Sequence, residues 1–153
     1  MTATRVEAER TLLAGPVVID ASVAVEYLVA ISLTAQAEAL FRSVVDQDVE
    51  LWAPDLLYPE SVSALRRLLR LRAIGPQAAE TAVGRLSRLP LTSTGTGSLM
   101  MRAWELRQAV TPYDACYVAL AEALRVPFVT ADRKLIRALS NREIRAVYLG
   151  DLS

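Results

Sequence analysis

The chain has 153 residues, 17 basic and 17 acidic side chains and a formal net charge of zero, with 53% hydrophobic residues and a mean hydropathy of +0.29. That length allows one domain with a real core, while no apolar run approaches the roughly 18–20 residues that span a bilayer. The absence of histidine excludes Ser-His-Asp and Cys-His catalysis, histidine general bases and imidazole metal sites.

What remains for catalysis is carboxylate chemistry, and for a metal a hard cation held through oxygen. The one cysteine, Cys116, excludes an internal disulfide, suits a reducing cytoplasm and lies in an apolar stretch as a core thiol. Zero net charge gives no whole-surface pull on nucleic acid, although 16 of the 17 basic residues are arginine and they cluster at 66–72 and 133–145. The apolar excess points to an interface with a second copy, an obligate partner or both.

Residues 1–16 mix Arg5, Glu7, Glu9 and Arg10 among apolar positions, which argues against a signal peptide; they read as an extension preceding a single domain over 17–153. PVVID at 16–20 has the pattern of a buried strand. Ser22 can cap a helix to about Val29, and Ala37, Leu40, Phe41 and Val44 mark a second helix over 34–46. ELWAP at 50–54 predicts a strand, followed by a long amphipathic helix to Arg72 that Asp55 caps. Gly75-Pro76 punctuates the chain before a helix to Arg88. A short strand at 89–93 leads into a Thr/Ser/Gly-rich loop at 92–98 and helices over 98–109 and 112–125. The strand PFVT (127–130), a helix at 132–139 and the strand RAVYL (145–149) complete the order. Strands separated by helical crossovers imply an α/β fold, a three-layer α/β/α domain with a central parallel sheet of four to five strands and helices on both faces.

The acids fall at corresponding places. Asp20 ends the first strand, Glu60 lies near the start of the long helix, Asp114 is in the first turn of its helix, and Asp132 follows PFVT. Ligands of open parallel sheets sit at the carboxyl ends of strands, so four carboxylates from distant segments can converge there. Like charges about 4 Å apart cost on the order of 4 kcal/mol at an effective dielectric of about 20; a divalent cation relieves this far more than helix dipoles do. Each acid also has an ordinary explanation. Thr111-Pro112-Tyr113-Asp114 matches a capping box, Asp132 a helix N-cap, Asp20 a strand-end turn, and Glu60 a first-turn glutamate. The box alone does not explain why the helix beyond Asp114 is apolar from Ala115 to Ala121.

The stretches VVIDASVAVEYLV, APDLLYPESVSALRRL, TPYDACYVALAEAL and PFVTADRKLIRAL, in this order and spacing, resemble the PIN-domain ribonuclease toxins of VapBC toxin–antitoxin modules over residues 17–149. The resemblance implies that Asp20, Glu60 and Asp114 match the family's three most regular acids and Asp132 the fourth, with Ser22, Thr111 and Thr130 as assisting polar neighbours. It implies an endoribonuclease that hydrolyses RNA phosphodiesters with a water activated by one or two Mg²⁺ or Mn²⁺ ions, leaving a 5′-phosphate and a 3′-hydroxyl. A carboxylate that does not ligate, with Asp132 the candidate, would orient the water.

An acidic pocket repels RNA, so Arg133 and Lys134 are the first candidates to flank it, and Tyr113 is a candidate to stack on a base. The implied partners are a VapB-like antitoxin, an RNA substrate of the tRNA or rRNA class and a second copy in a homodimer, with no membrane. Two other readings stand beside this one. A non-catalytic PIN-like module would bind RNA or protein without cleaving. A receiver or phosphotransfer domain also uses strand-end aspartates, but IDAS lacks the second acid of a DxD motif and Lys134 is the only lysine.

Overall fold

In the computed structural model, which describes residues 13–152, the chain enters its sheet at β1 (Gly15–Ile19). Val17, Val18 and Ile19 there have no exposed surface, as expected of a strand covered on both faces. The others are β2 (Val49–Pro54), β3 (Leu91–Thr94), β4 (Phe128–Thr130) and β5 (Ala146–Tyr148). All neighbours pair in parallel, in the order β3-β2-β1-β4-β5. Residues 1–12 of the expected N-terminal extension lie outside the described residues.

Between the strands run α1 (Ala21–Leu28), α2 (Thr34–Val45), α3 (Leu57–Arg70), α4 (Pro76–Leu86), α5 (Met100–Glu105), α6 (Pro112–Leu124) and α7 (Arg133–Ala138). Helix α1 packs against α2, α3 and α4, whereas α5 packs against α6, which lies across β1 and β2. The sheet order explains the two layers. The chain moves outward from β1 to β2 to β3, then returns past β1 to β4, and right-handed crossovers in opposite directions place helices on opposite faces. The reversal falls between β1 and β4, the position at which open α/β sheets leave a crevice.

Helix α6 forms the core of its layer. Ala115 to Ala121 are all buried, and the Tyr117 ring lies over Phe128 of β4 at 6.3 Å between centroids. The expected α/β/α architecture with a five-stranded parallel sheet is what the chain adopts.

Local boundaries differ from expectation at the helix caps. Asp20 rather than Ser22 caps α1, its carboxylate accepting from the amides of Ser22 and Val23. Asp55 caps nothing with its side chain, because the N-cap of α3 is Leu56, which makes no side-chain capping bond. The helix expected over 98–109 shortens to α5, preceded by a 3-10 turn at Gly97–Leu99. Three-residue bonds from Arg107 to Trp104 and from Ala109 to Leu106 tighten its end into turns.

Candidate metal-dependent nuclease site

Asp20 sits at the carboxyl end of β1 and Thr130 at the carboxyl end of β4, the two strands that flank the reversal. The Asp20 carboxylate is 6% exposed and fully engaged. Its Oδ1 accepts from the Ser22 amide at 3.0 Å, the Val23 amide at 3.3 Å and the Ser22 hydroxyl. Its Oδ2 accepts from Thr130 Oγ1 at 2.5 Å. Ser22 Oγ in turn accepts from the Ala131 amide at 2.9 Å, and Thr130 Oγ1 from the Asp132 amide at 3.1 Å. The two hydroxyls thus tie the start of α1 to the start of α7. Burial outweighs these donors and, together with the charge of Asp114, pushes the Asp20 carboxyl up to about 6.

Glu60 reaches the same end from the first turn of α3. Its Oε1 accepts from the hydroxyl of Tyr117 at 2.6 Å, and that tyrosine is 1% exposed. Burial raises the Glu60 carboxyl; the Tyr117 hydrogen bond opposes this, and Asp114 adds to it. Asp114 occupies the third position of α6, with Thr111 as N-cap accepting from the Asp114 amide at 3.2 Å and Pro112 beginning the helix. Burial raises the Asp114 carboxyl as well, Thr111 opposing and Asp132 reinforcing. Asp132 caps α7, its Oδ1 accepting from the amides of Lys134 at 2.8 Å and Leu135 at 3.3 Å.

Asp114 is the centre of this arrangement, since its charge bears on Asp20 and Glu60 and is borne on by Asp132. Hydrogen bonds join Asp20, Ser22, Thr130 and the start of α7 at the carboxyl ends of β1 and β4. Thr111, Asp114 and Asp132 border one cavity, and Glu60 lies in the first turn of α3. No cation balances them: the ion pairs among the described residues are those of Arg102 with Glu105 and Glu122. Among the described residues, no three acidic or sulfur side chains are already arranged to ligate one ion. As a donor set, carboxylate oxygens with no basic partner, Asp20 buried and Glu60 and Asp114 half-buried, fit a hard divalent cation, with water completing its shell.

Of the flanking residues, Lys134 borders a cavity of about 430 Å³ with Arg107, Asp114 and Asp132, whereas the Arg133 guanidinium lies 4.2 Å over the Tyr148 ring. Tyr113 is 60% exposed at the mouth. A larger groove of about 910 Å³ runs from Ser22, Glu60 and Tyr113 between α1 and α3, past Val25, Leu68 and Leu71 to Arg66, Arg67 and Arg70.

Two residues escaped the sequence reading. Tyr117 appeared as apolar filling, although a hydroxyl inside a buried helix needs a partner. Glu26 is 7% exposed on α1 and accepts from Ser32 N and Oγ and from Leu33 N, at 3.2, 3.2 and 3.0 Å. It was detectable as a lone charge in VAVEYLV, by the reasoning applied to Asp114.

Residues 17–139 match the PIN domain. The chain is 38% identical over 119 residues to ribonuclease VapC9 of Mycobacterium tuberculosis, covering 78% of this chain and 87% of the relative. Two solved structures share the fold. PAE2754 from Pyrobaculum aerophilum has a TM-score of 0.64 at 20% identity, covering 90% of this chain and 92% of its own. VapBC2 from Rickettsia felis, solved bound to a DNA fragment from the promoter, has a TM-score of 0.61 at 9% identity over 87% and 98%. The chain belongs to the PIN-domain family, among its VapC ribonucleases.

Proposed function

We infer that the protein is the toxin of a type II toxin–antitoxin pair and an endoribonuclease that hydrolyses RNA phosphodiester bonds with Mg²⁺ or Mn²⁺. What supports this reading is the Asp20 carboxylate held between Ser22 and Thr130 at the reversal of the sheet, with Asp114 and Asp132 on one neighbouring cavity and no basic side chain paired to these acids or to Glu60 among the described residues. Kinship with VapC ribonucleases supports the same chemistry. The four acids would hold the ion. When bound, a divalent cation supplies a water acidic enough to attack at neutral pH and stabilises charge on the phosphoryl oxygens.

The chain's own residues prepare the site. Ser22 and Thr130 fix the Asp20 carboxylate from both sides. Tyr117 fixes Glu60 through Oε1 and leaves Oε2 without a protein donor among the described residues. Asp132 uses Oδ1 to cap α7, and Oδ2 faces no protein donor among the described residues, so it is available to orient water. Lys134 and Arg107, beside the acids, offset their repulsion of the phosphate backbone.

The α1–α3 groove suits a segment of a VapB-like antitoxin, combining apolar Val25, Leu68 and Leu71 with Arg66, Arg67 and Arg70 at the end away from Glu60. Met101 and Trp104, exposed on α5, suit a second copy of the chain. No helix among the described residues is long and apolar enough to cross a membrane, and the free thiol of buried Cys116 accords with a cytoplasmic protein.

The decisive experiment compares RNA cleavage by the unmodified protein, by Asp114→Asn and by the unmodified protein in excess EDTA. Cleavage by the first alone, with all three folded, is the expected result. Full activity in EDTA would remove the metal, and RNA binding without cleavage under any divalent cation would favour a non-catalytic module.

A further inference from the structure

We propose that a second groove, at the end of the sheet opposite the acids, docks RNA backbone phosphates. A strand held at Asp114 and Asp132 for cleavage is then also gripped about 20 Å away, the length of α6 at about 1.5 Å per residue. The proposal rests on the ribonuclease reading.

The groove has a volume of about 940 Å³ and is lined by Arg102, Arg125, Arg142 and Arg145, with Glu122 and Glu143 as its acids. Arg102 is committed, holding Glu122 at 2.6 Å and Glu105 at 2.8 Å. The other three guanidinium groups have no acidic partner within ion-pair distance among the described residues. The carbonyl end of α6 favours one cation beside it, which accounts for Arg125 and not for Arg142 and Arg145. Arg125 ends α6 with φ 56, in the left-handed conformation that glycine usually supplies. Planar, always-charged guanidinium forks match the paired oxygens of phosphates.

One bank joins the two sites. Lys134 and Ala138 lie one turn apart on α7, Asn141 and Arg142 follow in the turn after it, and all four are exposed. Lys134 and Ala138 border the cavity that holds Asp114 and Asp132, while Asn141 and Arg142 border the basic groove. On the other bank Arg107 borders the first and Arg102 the second. A strand leaving the acids therefore meets positive charge along its way. This continuity favours RNA over an acidic peptide as the occupant.

The test uses a labelled uridine homopolymer long enough to cover the length of α6, and a uridine trinucleotide too short to reach. Binding is measured by fluorescence anisotropy in EDTA with the Asp20→Asn protein, so that nothing is cut. Adding Arg142→Glu and Arg145→Glu is expected to raise the polymer Kd at least about tenfold and to flatten its salt dependence, by about 0.7 in log–log slope for each phosphate no longer engaged. The trinucleotide Kd is expected to stay the same. Arg72→Glu with Arg88→Glu, exposed positions outside the groove, makes the same change of net charge and is expected to leave the polymer Kd unaltered. Equal polymer affinity and slope in the groove variant, or equal weakening by the two pairs, would overturn the proposal. The two readings fail separately: no RNA cleavage by the unmodified protein under any divalent cation sinks the ribonuclease alone. Cleavage combined with undiminished polymer binding by the groove variant sinks the groove alone.

Discussion

The hydroxyl of Tyr117 donates to Oε1 of Glu60 at 2.6 Å across the gap between α6 and α3. The two residues are 57 positions apart in sequence, and the tyrosine is buried. Burial and the adjacent Glu60 carboxylate hold its hydroxyl well above the usual range, so it serves as a donor and never as a base.

Tyr117→Phe keeps the ring against Phe128 and removes that donor. Partners that orient ligating carboxylates typically carry about 10–100-fold in metal affinity or activity, while one hydrogen bond contributes about 1 kcal/mol to stability. The expected outcome is a folded protein with at least about tenfold weaker divalent-metal binding, read by calorimetric titration. Unchanged metal affinity would confine Tyr117 to packing.

Protonation predicts how stability follows pH. The Asp20 carboxyl lies at about 6 when folded, against 3.8 for an unperturbed aspartate. Its contribution to stability is therefore fully present below about 3.8 and is lost as pH rises through about 6. Glu60 and Asp114 are raised as well and act in the same sense. Metal-free protein is expected to gain stability on acidification from pH 7 towards 5, and Asp20→Asn to remove much of that gain. Ionised Asp20 at pH 7 costs the fold about 3 kcal/mol. Thermal melts at several pH values, with and without Mg²⁺, check this; a metal-free melting temperature that falls between pH 7 and 5 would contradict it.

Glu26 holds the turn between α1 and α2, supplying acceptors that α2 lacks at its own N-cap, Leu33. Glu26→Ala strands the Ser32 and Leu33 donors and is expected to cost about 1–3 kcal/mol, visible as a lower urea midpoint. A midpoint unchanged from the parent would show that solvent replaces the carboxylate.

The neighbours Arg133 and Lys134 should behave differently, because the first is stacked on Tyr148 and the second borders the acids. Lys134→Ala is expected to weaken RNA binding and flatten its salt dependence by about 0.7 in log–log slope. Arg133→Ala should leave the slope alone and lower stability by about 0.5–1 kcal/mol. The reverse order would place Arg133 on the RNA.

The sequence carried the fold because its strands are short apolar runs and its helices keep regular spacing, and β1, β4 and α6 lie within a residue or two of where those patterns end. Asp20, Glu60, Asp114 and Asp132 were legible since each is an acid beside the start of a helix that follows a strand or turn. What stayed hidden depends on partners far along the chain. The tyrosine that meets Glu60 leaves no periodic trace, and Thr130 is legible only through the family resemblance, without its partner Asp20. Asp20 takes the capping role expected of Ser22 because both are good caps two residues apart, and only the backbone at Asp20, extended with φ -102 and ψ 179, decides between them.

The bond between Thr130 and Asp20 joins positions 110 residues apart. A growing polypeptide possesses Asp20 early but lacks Thr130 and Asp132 until most of its length has left the ribosome, and such distant pairings form late. The candidate site is therefore complete only once the last strands of the sheet have been added to the chain.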